Sequence, residues 1–199
     1  MARAFLVTLQ FDGGAFAGWQ RQIDGRTVQA EFEAVLERLT GEPGRVHAAG
    51  RTDAGVHAVG LGVSCSVPDR WDAAALQRSL NALLPADCWV ERVGEVRPGF
   101  HARTRASGRR YRYVLGTDPG AASPFRRRYE WALGRPVDHL TVSAAADQVV
   151  GAHDFSAFSV RSSERPHKRC QIASARWLER PGGVGLIFDI AGDRFLHHM

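Results

Sequence analysis

Apolar residues recur along this chain with two periods, one of two residues and one of about 3.6, and the switches between them mark out the elements. From Ala4 to Phe11 apolar and polar positions alternate as on a half-buried strand, which Asp12-Gly13-Gly14 ends. Phe16 to Gln22 reads as a loop. Thr27 is placed to cap a helix whose stripe, Val28, Phe32, Val35, Leu36 and Leu39, lies on one face, with Gly41 as its stop. Arg45 to Ala49 and Gly60 to Val67 predict strands. A second helix is expected over about 69–84, with Leu76, Leu80, Leu83 and Leu84 inward and Pro85 behind it. Trp89 to Val96 reads as a strand and residues 97–107 as an irregular basic connector. Arg109 to Leu115 alternates polar and aromatic side chains as a strand. A Pro- and Arg-rich loop spans roughly 117–128, Asp138 caps a helix reaching Val150, and Phe155 and Phe158 look like core. Cys170 to Leu178 and Val184 to Ala191 form a hairpin around Pro181-Gly182-Gly183. Strands and helices mix without a strict βαβ rhythm, so the class is α+β.

The 199 residues suffice for one large domain or two small ones, and 44% hydrophobic with 24% charged residues is ordinary for a globular protein. No apolar run approaches the length that crosses a bilayer, and the start reads as a first strand rather than a signal peptide. Cys65, Cys88 and Cys170 are far apart, each in an apolar stretch, which predicts buried reduced thiols in a cytoplasmic protein. Charge changes the picture more. Residues 1–100 carry 10 Arg against 12 acids, whereas residues 101–199 carry 16 Lys or Arg against 9 acids. Eight arginines and one acid, Asp118, fall within 101–128. Such a block favours a polyanionic partner through counterion release and forked phosphate contacts; a solvated charged face is the blander reading.

The most specific chemistry sits in Ala49-Gly50-Arg51-Thr52-Asp53-Ala54-Gly55-Val56-His57-Ala58. Gly50 and Gly55 allow the sharp turning that projects Asp53 from a narrow loop. Arg51 is expected to hold Asp53 ionised and to orient it by a two-pronged hydrogen bond. A single positioned carboxylate is what covalent catalysis by aspartate requires. A turn residue or N-cap with a local ion pair is the competing reading.

The decapeptide resembles the signature of the tRNA pseudouridine synthases of the TruA family. Phe16-x-Gly18-Trp19-Gln20-x-Gln22, Thr27-Val28-Gln29, Asn81-x-Leu83-Leu84-Pro85, Phe100-His101-Ala102-Arg103, Arg110-Tyr111-Arg112-Tyr113, His153-Asp154-Phe155-x-x-Phe158 and Phe195-Leu196-His197-His198-Met199 extend the resemblance over the chain. It implies conversion of uridine to pseudouridine in the tRNA anticodon stem-loop, at positions 38, 39 and 40, without cofactor or metal. Asp53 matches the family's nucleophile, attacking either the ribose C1′ or the base C6. Tyr111 matches the active-site tyrosine that stacks on the uracil. The resemblance further implies a homodimer and two ferredoxin-like halves, residues 1–106 and 107–199, that share one mixed, largely antiparallel sheet flanked by helices with the active cleft between them. Trp19, Gln20, Arg21, His57, Arg103, Arg105, Arg109, Arg110 and Arg112 are candidate RNA contacts, although Trp19 equally suits the core, His57 suits a loop hydrogen bond, and Tyr113 suits packing beneath Tyr111. His197-His198 lacks a suitably spaced third ligand and is not read as a metal pair.

Family members continue past the His-His-Met step with an active-site arginine two positions later. The 199 residues alone are therefore expected to form an incomplete second half, poorly soluble and with negligible turnover. Two other readings stand beside the isomerase. One is an RNA-binding remnant of the same family with impaired catalysis. The other is a hydrolase using Asp53 as a base on a phosphorylated small molecule, disfavoured by the lack of a second paired carboxylate.

Overall fold

In the computed structural model, which describes residues 2–159, 168–196 and 199, the chain divides into two compact units, 1–106 and 107–199. His197 and His198 lie outside the described residues.

The first unit opens with β1 (Ala2–Phe11), a central strand whose alternating side chains Phe5, Val7 and Leu9 are wholly buried. Helix α1 (Val28–Thr40) is bounded as its sequence predicts: the Thr27 hydroxyl accepts the Ala30 N–H at 3.4 Å, and Gly41 ends the helix at φ 81°. Its stripe of Val28, Phe32, Val35 and Leu36 is buried. β2 (His47–Ala48) and β3 (Ala58–Pro68) flank the decapeptide loop. Helix α2 (Ala73–Leu83) begins later than the hydrophobic pattern suggests. Trp71 N–H closes a turn onto the Pro68 carbonyl at 3.2 Å, which leaves Asp72 as the cap, its carboxylate accepting the Ala75 N–H at 2.7 Å. β4 (Cys88–Val96) completes a four-stranded sheet of order β2-β3-β1-β4, every pairing antiparallel. The connector is not wholly irregular, since Ala102–Arg105 makes one helical turn, α3.

The second unit is a five-stranded sheet of order β6-β5-β9-β8-β7, built from β5 (Arg109–Gly116), β6 (Trp131–Ala132), β7 (Gly151–Asp154), β8 (Arg169–Glu179) and β9 (Gly185–Gly192). Only β5–β6 is parallel. Helix α4 (His139–Asp147), capped by Asp138, packs on β8 and covers a core of Phe155, Cys170, Ile172, Ala175 and Leu196. Phe158 departs from expectation at 59% exposed, because the short 3-10 turn Ser156–Phe158 carries it off the core that Phe155 enters. The α+β class stands, with helices few and sheets mostly antiparallel, but the described strands form two sheets, of four and five strands, where one shared sheet was expected. The three cysteines are free and buried, and burial pushes the Cys65 and Cys88 thiols up to about 12. Among the described residues no helix is long and apolar enough to cross a membrane.

Candidate active site

Residues 51–57 cross from β2 to β3 with no regular structure of their own, and backbone contacts to the segment after β1 give them their shape. Trp19 N–H donates to the Thr52 carbonyl at 3.0 Å, and Gly55 N–H to the Phe16 carbonyl at 3.2 Å. Val56 N–H closes the turn onto the Asp53 carbonyl at 3.3 Å. Asp53 and Arg51 are both exposed on this loop.

The loop differs from its expected design at two points. Gly55 adopts φ 79° as anticipated, but Gly50 is not among the positive-φ glycines; the second special position is Gly18, at φ 98°. A Cβ on Gly18 would lie 2.7 Å from the Thr52 carbonyl oxygen, and one on Gly13 would lie 2.1 Å from that of Val56. These two glycines let one loop lie directly on the other. Nor does an Arg51–Asp53 ion pair form among the described residues: with the loop tied by its backbone, Arg51 points into solvent.

His57 sits where the two loops meet. Its Nδ1 accepts the Gly13 N–H at 3.1 Å and lies 3.1 Å from Asp12 Oδ1, which itself accepts the Gly14 N–H. Trp19 is 2% exposed, packed in the core with Phe16, Val28 and Phe32, so it is no stacking surface for RNA. Gln20 donates to the Gln29 side chain at 3.0 Å, and the Arg21 guanidinium lies 3.4 Å from the Glu33 carboxylate while staying mostly exposed. Arg103 and Arg105 are exposed on α3.

In the second unit β5 separates two kinds of chemistry by its pleat. Tyr111 and Tyr113 share one face. Tyr111, 38% exposed, meets Phe195 edge-on at 4.8 Å; Tyr113 turns instead toward Trp131 at 6.4 Å and does not pack beneath Tyr111. Arg110 and Arg112 share the other face, where both guanidiniums converge on Asp189 of β9, at 2.8 and 3.2 Å. Asp189 is 1% exposed, and Arg110 first, then Arg112, hold its carboxyl below the usual carboxylate range against the opposing effect of burial. Arg110 and Arg112 are thus sheet-bracing residues with part of each guanidinium still in solvent, rather than unencumbered phosphate ligands. Arg109 donates to the Asp193 carbonyl at 2.7 Å. Asp189 was invisible as a functional residue in sequence, since only the β5–β9 register places it opposite Arg112.

Asp189→Ala is expected to lower stability by about 1–2 kcal/mol, less than a fully buried pair because both arginines can return to water. A depressed carboxyl contributes stability above its unfolded pKa, near 4, and that contribution is lost as pH falls through the folded value. The urea midpoint of the unaltered protein should therefore drop more steeply below pH 4 than that of Asp189→Asn.

A family model described as tRNA pseudouridine synthase matches residues 145–199. The tRNA pseudouridine synthase A of Solidesulfovibrio magneticus is 40% identical over 203 residues, covering 100% of this chain and 74% of the relative. That of Moorella thermoacetica is 41% identical, covering 97% of the chain and 78% of the relative. That of Chlorobium luteolum is 39% identical, covering 99% and 76%. With identity at this level sustained across both units, the chain belongs to the tRNA pseudouridine synthase A family of tRNA-modifying isomerases.

Proposed function

We propose that this chain converts uridine to pseudouridine in the anticodon stem-loop of tRNA, at positions 38, 39 and 40, as a cytoplasmic homodimer with Asp53 as the nucleophile. The observation that carries the reading is the exposed Asp53 on a loop tied down through the backbone of Thr52, Asp53 and Gly55 and through the His57 ring, so that the side chain is presented from a fixed base. Precise placement of a reacting group is worth orders of magnitude in rate, and a loop built on two buried close approaches supplies it.

The reaction needs little else from the protein. A paired uridine first leaves its stack, at a cost of a few kcal/mol. The Asp53 carboxylate adds to C1′ or to C6; the N1–C1′ bond breaks; the uracil turns within the site; C5 bonds to C1′, and the bond from Asp53 to C1′ or C6 breaks to return the free carboxylate. The C5 proton departs to solvent and N1 gains one, so no oxidant or reductant is consumed. Tyr111, half in solvent and steadied by Phe195, offers the ring on which the uracil stacks. The net charge of +7 over residues 101–199 supplies attraction to the tRNA backbone. Arg51, exposed beside Asp53, is assigned to the substrate rather than to the carboxylate.

Release of tritium from tRNA carrying C5-tritiated uridine is the direct test. The protein carrying this chain should free it stoichiometrically with pseudouridine. Bound tRNA with no tritium release would instead mark an RNA-binding module.

A further inference from the structure

The first unit carries a hollow that the reading above leaves unused. Its volume is about 220 Å³, and Arg45, His47, Ser64, Ser66, Phe100 and His101 line it. Its chemistry is one-sided: an arginine, two imidazoles and two hydroxyls, with no carboxylate in the wall. The acid acting on His47 from α1 is Glu33, which is already engaged. Glu33 accepts the Val46 N–H at 3.2 Å and the Gln29 amide at 2.9 Å, and lies 3.4 Å from Arg21. Arg45 is exposed and makes no ion pair among the described residues. Cys65, also in the wall, stays a neutral thiol because burial pushes it up to about 12.

The two imidazoles stack face to face, centroids 4.1 Å apart and planes 20° from parallel. His101 Nδ1 is buried with no hydrogen-bond partner among the described residues, which leaves Nε2 as the ring nitrogen that can meet a ligand. Ser64 is occupied structurally, accepting the Ala102 N–H at 3.0 Å and donating to the His47 carbonyl. It thereby fastens α3, with its exposed Arg103 and Arg105, to the rim. Stacked imidazoles beside an arginine gain nothing from one another when charged. Burial first, then His101, hold His47 below its ordinary range, with Arg45 acting in the same direction and Glu33 against it. An anion in the hollow reverses that balance.

We propose that Arg45, His47, Ser66 and His101 form a phosphate-binding pocket, and that its occupant is a backbone phosphodiester of the RNA substrate; the second part rests on the function proposed above. The guanidinium fork takes two phosphate oxygens, and the Nε2–H of His101 and the Ser66 hydroxyl donate to the others. Filling the pocket draws a proton onto His47, so the contact strengthens as pH falls from 8 to 6. The neighbouring arginines of α3 continue the same basic surface along the strand.

The test follows the His47 and His101 ring resonances by NMR, assigned with His47→Gln and His101→Gln. The protein is titrated separately with inorganic phosphate and with an anticodon stem-loop RNA. RNA should shift both rings, more strongly at pH 6 than at pH 8, and inorganic phosphate should compete for the same site. Arg45→Gln, a surface change that leaves the fold alone, should weaken RNA binding roughly 3- to 10-fold at 0.1 M salt and lower the salt slope by about one. His47→Gln should remove the gain on acidification. RNA affinity and salt slope unchanged in Arg45→Gln at both pH values would overturn the proposal. Rings that respond to inorganic phosphate and ignore RNA would overturn its RNA assignment. Tritium release by the unaltered protein is the separate arm. Normal release with silent rings sinks the pocket alone; responsive rings without release sink the isomerase reading and leave the pocket standing.

Discussion

Asp53→Asn should reduce pseudouridine formation by about 10³-fold or more while leaving tRNA affinity and the urea midpoint within error. The substitution keeps the side chain's size and removes its nucleophilic charge. The loop's shape comes from Trp19, Phe16 and Val56 through backbone bonds, and none of these uses the Asp53 carboxylate. Turnover lost without loss of binding or stability assigns the residue to chemistry. A variant within tenfold of the unaltered rate would leave Asp53 as no more than a turn residue. Initial rates under saturating tRNA, with binding measured in parallel, distinguish the two.

Gly13→Ala should be the most damaging change that touches no reacting group. Its Cβ would come within 2.1 Å of the Val56 carbonyl oxygen and 2.4 Å of the Val56 carbonyl carbon. Both obstacles are backbone, so neither can rotate aside. The loop carrying Asp53 must move, at a stability cost of about 2–4 kcal/mol. A displacement of even 1 Å at the carboxylate corresponds to roughly a 10²-fold loss in rate. Gly44→Ala is the matched control, since nothing lies within 4 Å of its added Cβ, and should be neutral in both assays. Equal behaviour of the two variants would mean that the loops do not lie against one another as described.

What the sequence showed about this molecule depended on how far apart the cooperating residues lie. Helix α1 was legible to the residue because Thr27 and Gly41 act within one turn of their own positions. The start of α2 falls later than the hydrophobic pattern suggests because the Trp71–Pro68 turn holds residues 69–71 out of the helix and leaves Asp72 as the cap. The decapeptide announced a projecting aspartate, yet its support comes from residues some forty positions earlier. Gly13 and Gly18 are ordinary turn formers until Val56 and Thr52 are seen against them. Trp19 reads equally well as surface or core, and burial between β1 and α1 settles it. Arg110 and Arg112 read as phosphate ligands because their partner, Asp189, lies 79 and 77 residues away and meets them only through sheet register. Strand β7 escaped notice because it is four residues long and begins at a glycine with φ 111°.

The site at which pseudouridine forms, and its dependence on Asp53, can be read together in one measurement. An unmodified tRNA would be incubated with the protein carrying this chain or with Asp53→Asn, and pseudouridine located nucleotide by nucleotide through carbodiimide adducts that stop primer extension. The prediction is stops at positions 38, 39 or 40 with the unaltered protein and none with the variant. Stops of equal strength in both would contradict it, because a uridine isomerised without that carboxylate is isomerised by some other group.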